Sequence, residues 1–173
     1  NNFQKLFKIA SGDNNFYPLI KTISEFKKPT FLSTGLTSLE NLNKIVKIWT
    51  EKGDINCLSF LHCVSSYPVP EKEANLNYIK ILKSHFPNLF IGYSDHTIGI
   101  DASLYAVILG AQIVEKHFTL DKNFSDFRDH QISADPKEMK ELVKKINSIF
   151  NYLGQNSNEI QECEKAGLTG SRR

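Results

Sequence analysis

The 173-residue sequence lacks the features that would assign it directly to several large classes of protein. No apolar run approaches the ~20 residues that a membrane-spanning helix needs, and no signal peptide is recognisable. Neither a G-x-G-x-x-G pattern nor a phosphate-binding P-loop follows the first apolar run, which weakens a nucleotide-binding function. The net charge of +2 is too small to indicate a nucleic-acid partner.

Cysteine is scarce, and its spacing excludes a recognisable metal motif. Cys57, Cys63 and Cys163 are odd in number and match no metal-binding pattern. They favour a reduced, cytoplasmic protein in which Cys57 and Cys63 are small buried apolar residues. The composition, with 40% hydrophobic and 23% charged residues, is typical of a globular protein with one sizeable core.

Short apolar runs alternate with amphipathic stretches along most of the chain. The runs predict strands at 6–9, 30–32, 57–61, 90–93 and 113–114. The amphipathic stretches predict helices from the capping box Thr37–Glu40 to Gly53, over Asn75–Phe86, over Asp101–Leu109 with Gly110 as its cap, and from Asp135 to Phe150. Strand followed by helix, repeated, indicates a parallel sheet with helical crossovers. It is either an open doubly wound sheet or part of a (β/α)8 TIM barrel.

Polar residues collect just beyond the carboxyl end of nearly every predicted strand, and this favours the barrel. They are Ser11 and Asp13, Ser33 and Thr34, Ser65 and Tyr67, Ser94 to His96, and His117 with Thr119. In a barrel those ends converge on one rim, where active sites of this fold lie. Five β/α units cannot close eight strands, so we expect the C-terminal part of a barrel, strands 4 to 8, over residues 1–154. The polar residues 155–173 are predicted to be a linker.

Two histidines, His96 and His117, end consecutive predicted strands. Adjacent strand ends could bring the two rings close enough to share a metal ion, and neutral imidazole suits Mn, Fe, Co or Zn. Each ring could instead cap a local backbone group. The neighbouring acids Asp95 and Glu115 are either partners that orient the rings or ordinary ion-pair acids.

Lys8 is a charge within the first predicted strand. Facing the barrel interior it could bind a phosphate or carboxylate, or form a Schiff base, whereas facing outward it would only pack its stem on the surface. Ser11 and Asp13 follow around Gly12, where they could hold an anion and a sugar hydroxyl or form a common loop. By pattern alone, DFRDHQ (126–131) is a solvated loop.

Taken in order, six stretches resemble the catalytic domain of the sialic acid synthase family. They are FKIASGD (7–13), PTFLSTG (29–35), LHCVSSYPVP (61–70), GYSDHT (92–97), EKHFTLDK (115–122) and DHQIS (129–133). The resemblance implies a cytoplasmic, metal-dependent enzyme that condenses phosphoenolpyruvate with an N-acylated amino sugar to give a nonulosonic acid and phosphate. It also implies a C-terminal antifreeze-like domain beyond this chain and a homodimeric parent protein.

Roles for individual residues follow from the same resemblance. It implies that His96 and His117 bind a divalent metal, Mn or Mg. Lys8, Ser11, Ser65 and Ser94 are implied to contact phosphoenolpyruvate, and Asp13, Tyr67 and Asp129 to contact the acceptor sugar. Lys8 and Asp13 are the implied catalytic residues.

The departures from the family pattern bear mainly on the acceptor. Asp13 stands where the family often has glutamate, and Ser65 where it often has asparagine. The loop to Asp129 is one residue longer and lacks the family's Gly-Pro, which leaves the acceptor open between N-acetylmannosamine and a bacterial diamino-sugar relative. Two other functions stay open: another metal-assisted aldol-type barrel enzyme, and a fragment that binds metal or sugar without catalysis.

Overall fold

Five parallel strands form one sheet in the computed structural model, which describes residues 4–154 and 158–168. The strands are β1 (Phe7–Ile9), β2 (Thr30–Ser33), β3 (Leu58–Cys63), β4 (Phe90–Asp95) and β5 (Ile113–Lys116), each paired with the next along the chain. A parallel sheet whose spatial order follows the chain order is the product of repeated βαβ crossovers, as in a barrel wall. Each predicted strand is confirmed, and β2 to β5 extend one or two residues further than predicted.

Helices connect the strands and follow the last one. They are α1 (Tyr17–Glu25), α2 (Leu39–Lys52), α3 (Tyr78–His85), α4 (Asp101–Ile108), α5 (Arg128–Ile132) and α6 (Pro136–Leu153). Asp135 and Glu138 form the reciprocal capping box that starts α6, and Gly110, with a φ of 96°, follows α4 in the left-handed conformation predicted for it. The predicted capping box of Thr37 and Glu40 was wrong, because Ser38 caps α2 and accepts from the backbone N–H of Asn41.

The sequence patterns did not predict α1 and α5. The buried residues of α1 are Ile20, Ile23 and Ser24. Four of the five residues of α5 lie inside 126–131, the stretch predicted to be a solvated loop. With five residues, α5 is short enough that tertiary contacts, rather than periodicity, decide it.

The main hydrophobic core fills the space between the sheet and the helices. Leu32, Phe60 and Ile91 point from neighbouring strands into this core, where they meet Trp49 of α2 and Leu82 of α3. Burying each such side chain contributes about 1.5–3 kcal/mol relative to leaving it exposed. Successive residues of a strand point to opposite faces of the sheet. The strand residues on either side of Leu32, Phe60 and Ile91 therefore face the concave side, which corresponds to the interior of a barrel.

A smaller apolar cluster attaches the last helix to the wall. Leu142 of α6 packs against Ile100 and Leu104 around the start of α4. No helix within the described residues is long and apolar enough to cross a membrane.

The tail after α6 is exposed where the structure describes it. Residues 158–168 carry one 3-10 helix, Glu162–Gly167. The interpretation of 155–173 as a linker stays a prediction, and it falls partly on 155–157 and 169–173, outside the described residues.

His62 lies on the helix-facing side of β3 and not at the rim. Its buried ring stacks on Tyr93 and packs near Tyr78, with centroids 5.6 and 5.4 Å apart, and its Nε2 lies 2.8 Å from the carbonyl oxygen of Ala74. Burial lowers the pKa of this imidazole. His62 is therefore a neutral core residue.

We expect His62 to make the fold sensitive to acid. Because its folded-state pKa lies below the ordinary value of 6.5, the unfolded chain binds more protons than the folded one at acidic pH. The contribution of neutral His62 to the free energy of unfolding is thus complete above pH 6.5, and it is lost as the pH falls from there toward the folded-state pKa. His62→Leu should flatten the dependence of the unfolding free energy on pH in this range, measured by urea titration. The exposed His85→Gln is the control, and an unchanged slope in His62→Leu would contradict the expectation.

Candidate active site

Four inward-facing side chains form a polar layer near the carboxyl ends of the strands. Lys8 donates to the Ser33 hydroxyl at 2.9 Å, and its Nζ lies 3.1 Å from Oε1 of Glu115. The Ser94 hydroxyl donates to the same carboxylate oxygen at 2.8 Å. Lys8 therefore points into the concave side and not outward. Because Lys8 is on β1 and Glu115 is on β5, this contact also shows that the sheet curves until its two outer strands approach each other.

The loops after β1 and β2 meet beside this layer. The hydroxyl of Ser11 accepts a hydrogen bond from the Gly35 N–H at 3.1 Å, and the Asn14 amide donates to the carbonyls of Ser33 and Gly35 at 3.2 and 2.7 Å. A Cβ at Gly35 would overlap the hydroxyl oxygens of both Ser11 and Ser65. Two predicted serines thus flank one glycine. Asn14, which the sequence patterns missed, holds the loops together, and an asparagine in a loop gives no signal of that role.

Three rings form a second layer closer to the rim. The centroids of His96 and His117 are 5.3 Å apart, and Tyr67 stacks on His96 at 4.2 Å while meeting His117 edge-on at 5.9 Å. Nδ1 of His96 lies 3.0 Å from the carbonyl oxygen of Val64, and Nδ1 of His117 lies 4.0 Å from Oδ2 of Asp129. The structure thus brings together four of the predicted site residues.

Both histidines have an environment suited to metal ligands. Burial lowers the pKa of His96 and of His117, so both rings are neutral near pH 7, which is the form that binds metals. The carbonyl contact of His96 leaves its Nε2 without a hydrogen-bond partner among the described residues. Two neutral imidazoles fit a divalent cation, although no group of three or more His, Cys, Asp or Glu side chains in the described ranges forms a complete ligand set. Metal binding here stays a prediction.

Asp95 lies behind the rings, on the helix-facing side of β4. Its carboxylate accepts hydrogen bonds from the N–H and hydroxyl of Thr97, both at 2.8 Å, and from the hydroxyl of Ser103 at 2.7 Å. Lys116 pairs with it at 3.2 Å, and the two side chains are 1% and 0% exposed. Of the two interpretations of Asp95, the ion-pair acid is the one that the structure shows. Glu115, which pairs with Lys8, is an ion-pair acid as well.

The remaining predicted residues, Asp13 and Asp129, lie on short helical segments outside the strands. Asp13 is exposed at the end of the 3-10 helix Ser11–Asp13, and its side chain makes no hydrogen bond or ion pair with the described residues. Asp129 is on α5 beside Arg128, whose guanidinium carbon lies 4.6 Å from the centroid of the Tyr67 ring. Arg128 was missed because its contact joins α5 to the loop after β3, which is far away in the chain.

Comparison with known proteins identifies the family. A sequence profile of the NeuB family matches residues 2–158. The chain belongs to the NeuB family. The resemblance to the sialic acid synthases is thereby confirmed.

Individual members of the NeuB family are similar to this chain over most of its length. It is 43% identical over 80% of its length to N-acetylneuraminate-9-phosphate synthase of Drosophila melanogaster, and 39% identical over 95% to N,N'-diacetyllegionaminic acid synthase of Campylobacter jejuni. It covers 37% and 49% of these two proteins, and so spans half their length or less. The crystal structure of N-acetylneuraminic acid synthetase from Leptospira borgpetersenii superposes with a TM-score of 0.88 at 38% identity, over 96% of this chain and 57% of that one.

We expect the buried ion pair of Asp95 and Lys116 to stabilise the ends of β4 and β5. Lys116→Met should lower the free energy of unfolding by about 3–5 kcal/mol, because it leaves the Asp95 carboxylate buried without its cation. The double variant Asp95→Asn with Lys116→Met should be more stable than this single variant. Lys47→Met, which breaks an exposed pair with Glu51, is the control and should cost less than about 1 kcal/mol. Urea denaturation measures all of these, and a double variant no more stable than Lys116→Met would show that the charge is not the cause.

Proposed function

We propose that the chain forms strands 4 to 8 of the catalytic barrel of a nonulosonic acid synthase. Such an enzyme condenses phosphoenolpyruvate with an N-acylated amino sugar and releases phosphate. The observation that carries the proposal is the two-layer rim, with a lysine and hydroxyls beneath a pair of neutral imidazoles, in a chain of the NeuB family. The relatives named for N-acetylneuraminate 9-phosphate and for N,N'-diacetyllegionaminic acid support this class of product.

Phosphoenolpyruvate would bind in the lower layer. The Lys8 ammonium and the hydroxyls of Ser11, Ser65 and Ser94 are the proposed donors to its phosphate and carboxylate, and bonds from a charged donor are the stronger ones. In the structure Glu115 accepts from both Lys8 and Ser94. The carboxylate thus keeps these two donors in place until the anionic substrate takes over their hydrogen bonds.

The acceptor sugar would bind above, among Tyr67, Asp129 and Asp13. Burial raises the pKa of the Tyr67 phenol, so it stays protonated and can donate a hydrogen bond to a sugar oxygen. The carboxylate of Asp129, beside His117, can accept from sugar hydroxyls. Asp13 is proposed to contact the acceptor from the neighbouring loop, and Lys8 and Asp13 are the proposed catalytic residues.

His96 and His117 would hold the divalent cation, Mn or Mg. A cation bound there would polarise the carbonyl oxygen of the open-chain sugar. The carbonyl of Val64 fixes the orientation of the His96 ring, and burial keeps both imidazoles neutral. In the proposed reaction C3 of phosphoenolpyruvate attacks the carbonyl carbon, water adds at C2, and phosphate leaves with the bridging oxygen.

The cellular setting and the assembly are part of the same proposal. We place the reaction in the cytoplasm and the parent protein in a homodimer, on the resemblance alone. A second function, binding of metal or sugar without catalysis, is favoured by Asp13, a proposed catalytic residue whose exposed side chain makes no hydrogen bond or ion pair with the described residues. The experiments on this chain therefore measure binding as well as turnover.

Phosphoenolpyruvate should bind this chain, measured by isothermal titration calorimetry. Lys8→Met should weaken binding at least tenfold because it removes a charged donor, equivalent to about 1.4 kcal/mol or more. Gly35→Ala should weaken it similarly because its methyl overlaps two serine hydroxyls. Gly12→Ala is the matched control, since nothing lies within 4 Å of a Cβ there.

The outcomes separate the candidate functions. Affinity for phosphoenolpyruvate that is unchanged in Lys8→Met would refute the anion site. In an assay with Mn²⁺, phosphoenolpyruvate and N-acetylmannosamine, phosphate released together with a nonulosonic acid would support the synthase. Phosphate released without that product would indicate another phosphoenolpyruvate-condensing enzyme.

Mn²⁺ should bind at the histidine pair. His96→Ala and His117→Ala should each weaken binding at least tenfold, because each removes one of two protein ligands. Electron paramagnetic resonance of free Mn²⁺ measures this without any turnover. His85→Ala, at an exposed helix end, should leave the affinity unchanged. Full affinity in His96→Ala would remove the metal assignment.

A further inference from the structure

The outer rim carries a cation to which the proposed reaction gives no role. The guanidinium carbon of Arg128 lies 4.6 Å from the Tyr67 centroid, and the Tyr67 ring stacks on His96 at 4.2 Å. Exposure increases along this stack, from 6% for His96 to 63% for the Arg128 side chain. The stack therefore leads from the candidate metal ligands outward to solvent, with a positive charge at its outer end.

The described residues use little of the hydrogen-bonding capacity of Arg128. A cation–π contact uses none of the five guanidinium N–H donors. Its ion-pair partner within the described residues is Asp129, at 3.9 Å, which is beyond hydrogen-bonding distance. Two lysines of the same region are engaged, since Lys116 is buried against Asp95 and Lys122 pairs with Glu138. Arg128 is thus available to an incoming anion.

The distance from the histidines matches the length of an open-chain sugar. The two stacking distances place the guanidinium at most about 9 Å from the His96 ring. With C–C bonds of about 1.5 Å, an extended six-carbon chain spans roughly 6 Å. An aldose with its carbonyl beside the histidines can therefore bring its far carbon, and a group attached there, within reach of Arg128.

We propose that Arg128 is a specificity-determining residue that recognises an acceptor with a phosphomonoester on the carbon farthest from its carbonyl, an N-acyl-hexosamine 6-phosphate. The planar fork of guanidinium N–H groups matches the oxygens of a phosphate bidentately. The aldose end must stay free to react, and among the other hydroxyls the primary one is the farthest from the carbonyl, which is the direction in which Arg128 lies. This inference rests on the proposed function, because it takes the carbonyl to lie at the histidine pair.

Binding of two acceptors that differ only in the phosphate tests the inference. The chain, with Mn²⁺ and phosphoenolpyruvate present, is titrated by calorimetry with N-acetylmannosamine 6-phosphate and with N-acetylmannosamine. We expect the phosphorylated sugar to bind at least tenfold more tightly. Arg128→Met should abolish that preference and leave the affinity for N-acetylmannosamine within twofold. Lys137→Met, which removes an exposed cation at the start of α6, should keep the preference.

Each alternative outcome has a distinct meaning. Equal affinity of the wild-type chain for both sugars overturns the role of Arg128 while the proposed function stands. Loss of affinity for both sugars alike in Arg128→Met also overturns it, since the arginine would then only hold Tyr67 in place. Binding of neither sugar by the wild-type chain overturns the proposed function and this inference with it. Arg128→Lys, which keeps the charge but not the fork, should retain part of the preference, and circular dichroism verifies the fold of each variant.

Discussion

The buried pair between Asp95 and Lys116 is the interaction on which the geometry of the candidate site depends. These two residues are opposite each other in the register of β4 and β5, and each immediately precedes one of the two histidines. Because side chains alternate between faces along a strand, the pair lies behind the sheet while the histidine that follows each strand turns toward the rim. Hydrogen bonds from Thr97 and Ser103 complete the shell of Asp95. The spacing of the histidine rings is therefore set by an interaction that does not touch them.

A second ion pair between the strands has the opposite character. Lys8 and Glu115 face the concave side, with 31% and 40% of their side chains exposed. A half-exposed pair contributes little to stability, whereas removing one partner from a fully buried pair is costly. Burial therefore makes the Asp95–Lys116 pair costly to break, whereas exposure makes the Lys8–Glu115 pair easy to break. Lys8 can thus give up a carboxylate for another anion at small cost.

Much of the fold could be predicted because its signals are local. The strand runs, the helix start at Asp135 and the glycine after α4 are patterns within a few residues, and the structure contains all of them. His96 and His117 could be placed together because equivalent positions on adjacent parallel strands are neighbours in space. The stack of Arg128 on Tyr67 and the bridging by Asn14 could not be predicted, since they join loops that no periodicity connects.

The residues that could be predicted from the sequence and those that could not belong to different parts of the candidate site. The proposed anion and metal sites are built mainly on strand ends, whose positions follow from the sheet, while the proposed acceptor site is built on loops and on α5. Loops vary more among relatives than the elements they connect. Two relatives at 43% and 39% identity are indeed named for different products. Membership of the NeuB family therefore supports the proposed anion and metal sites. The identity of the acceptor must be established from the residues around Arg128.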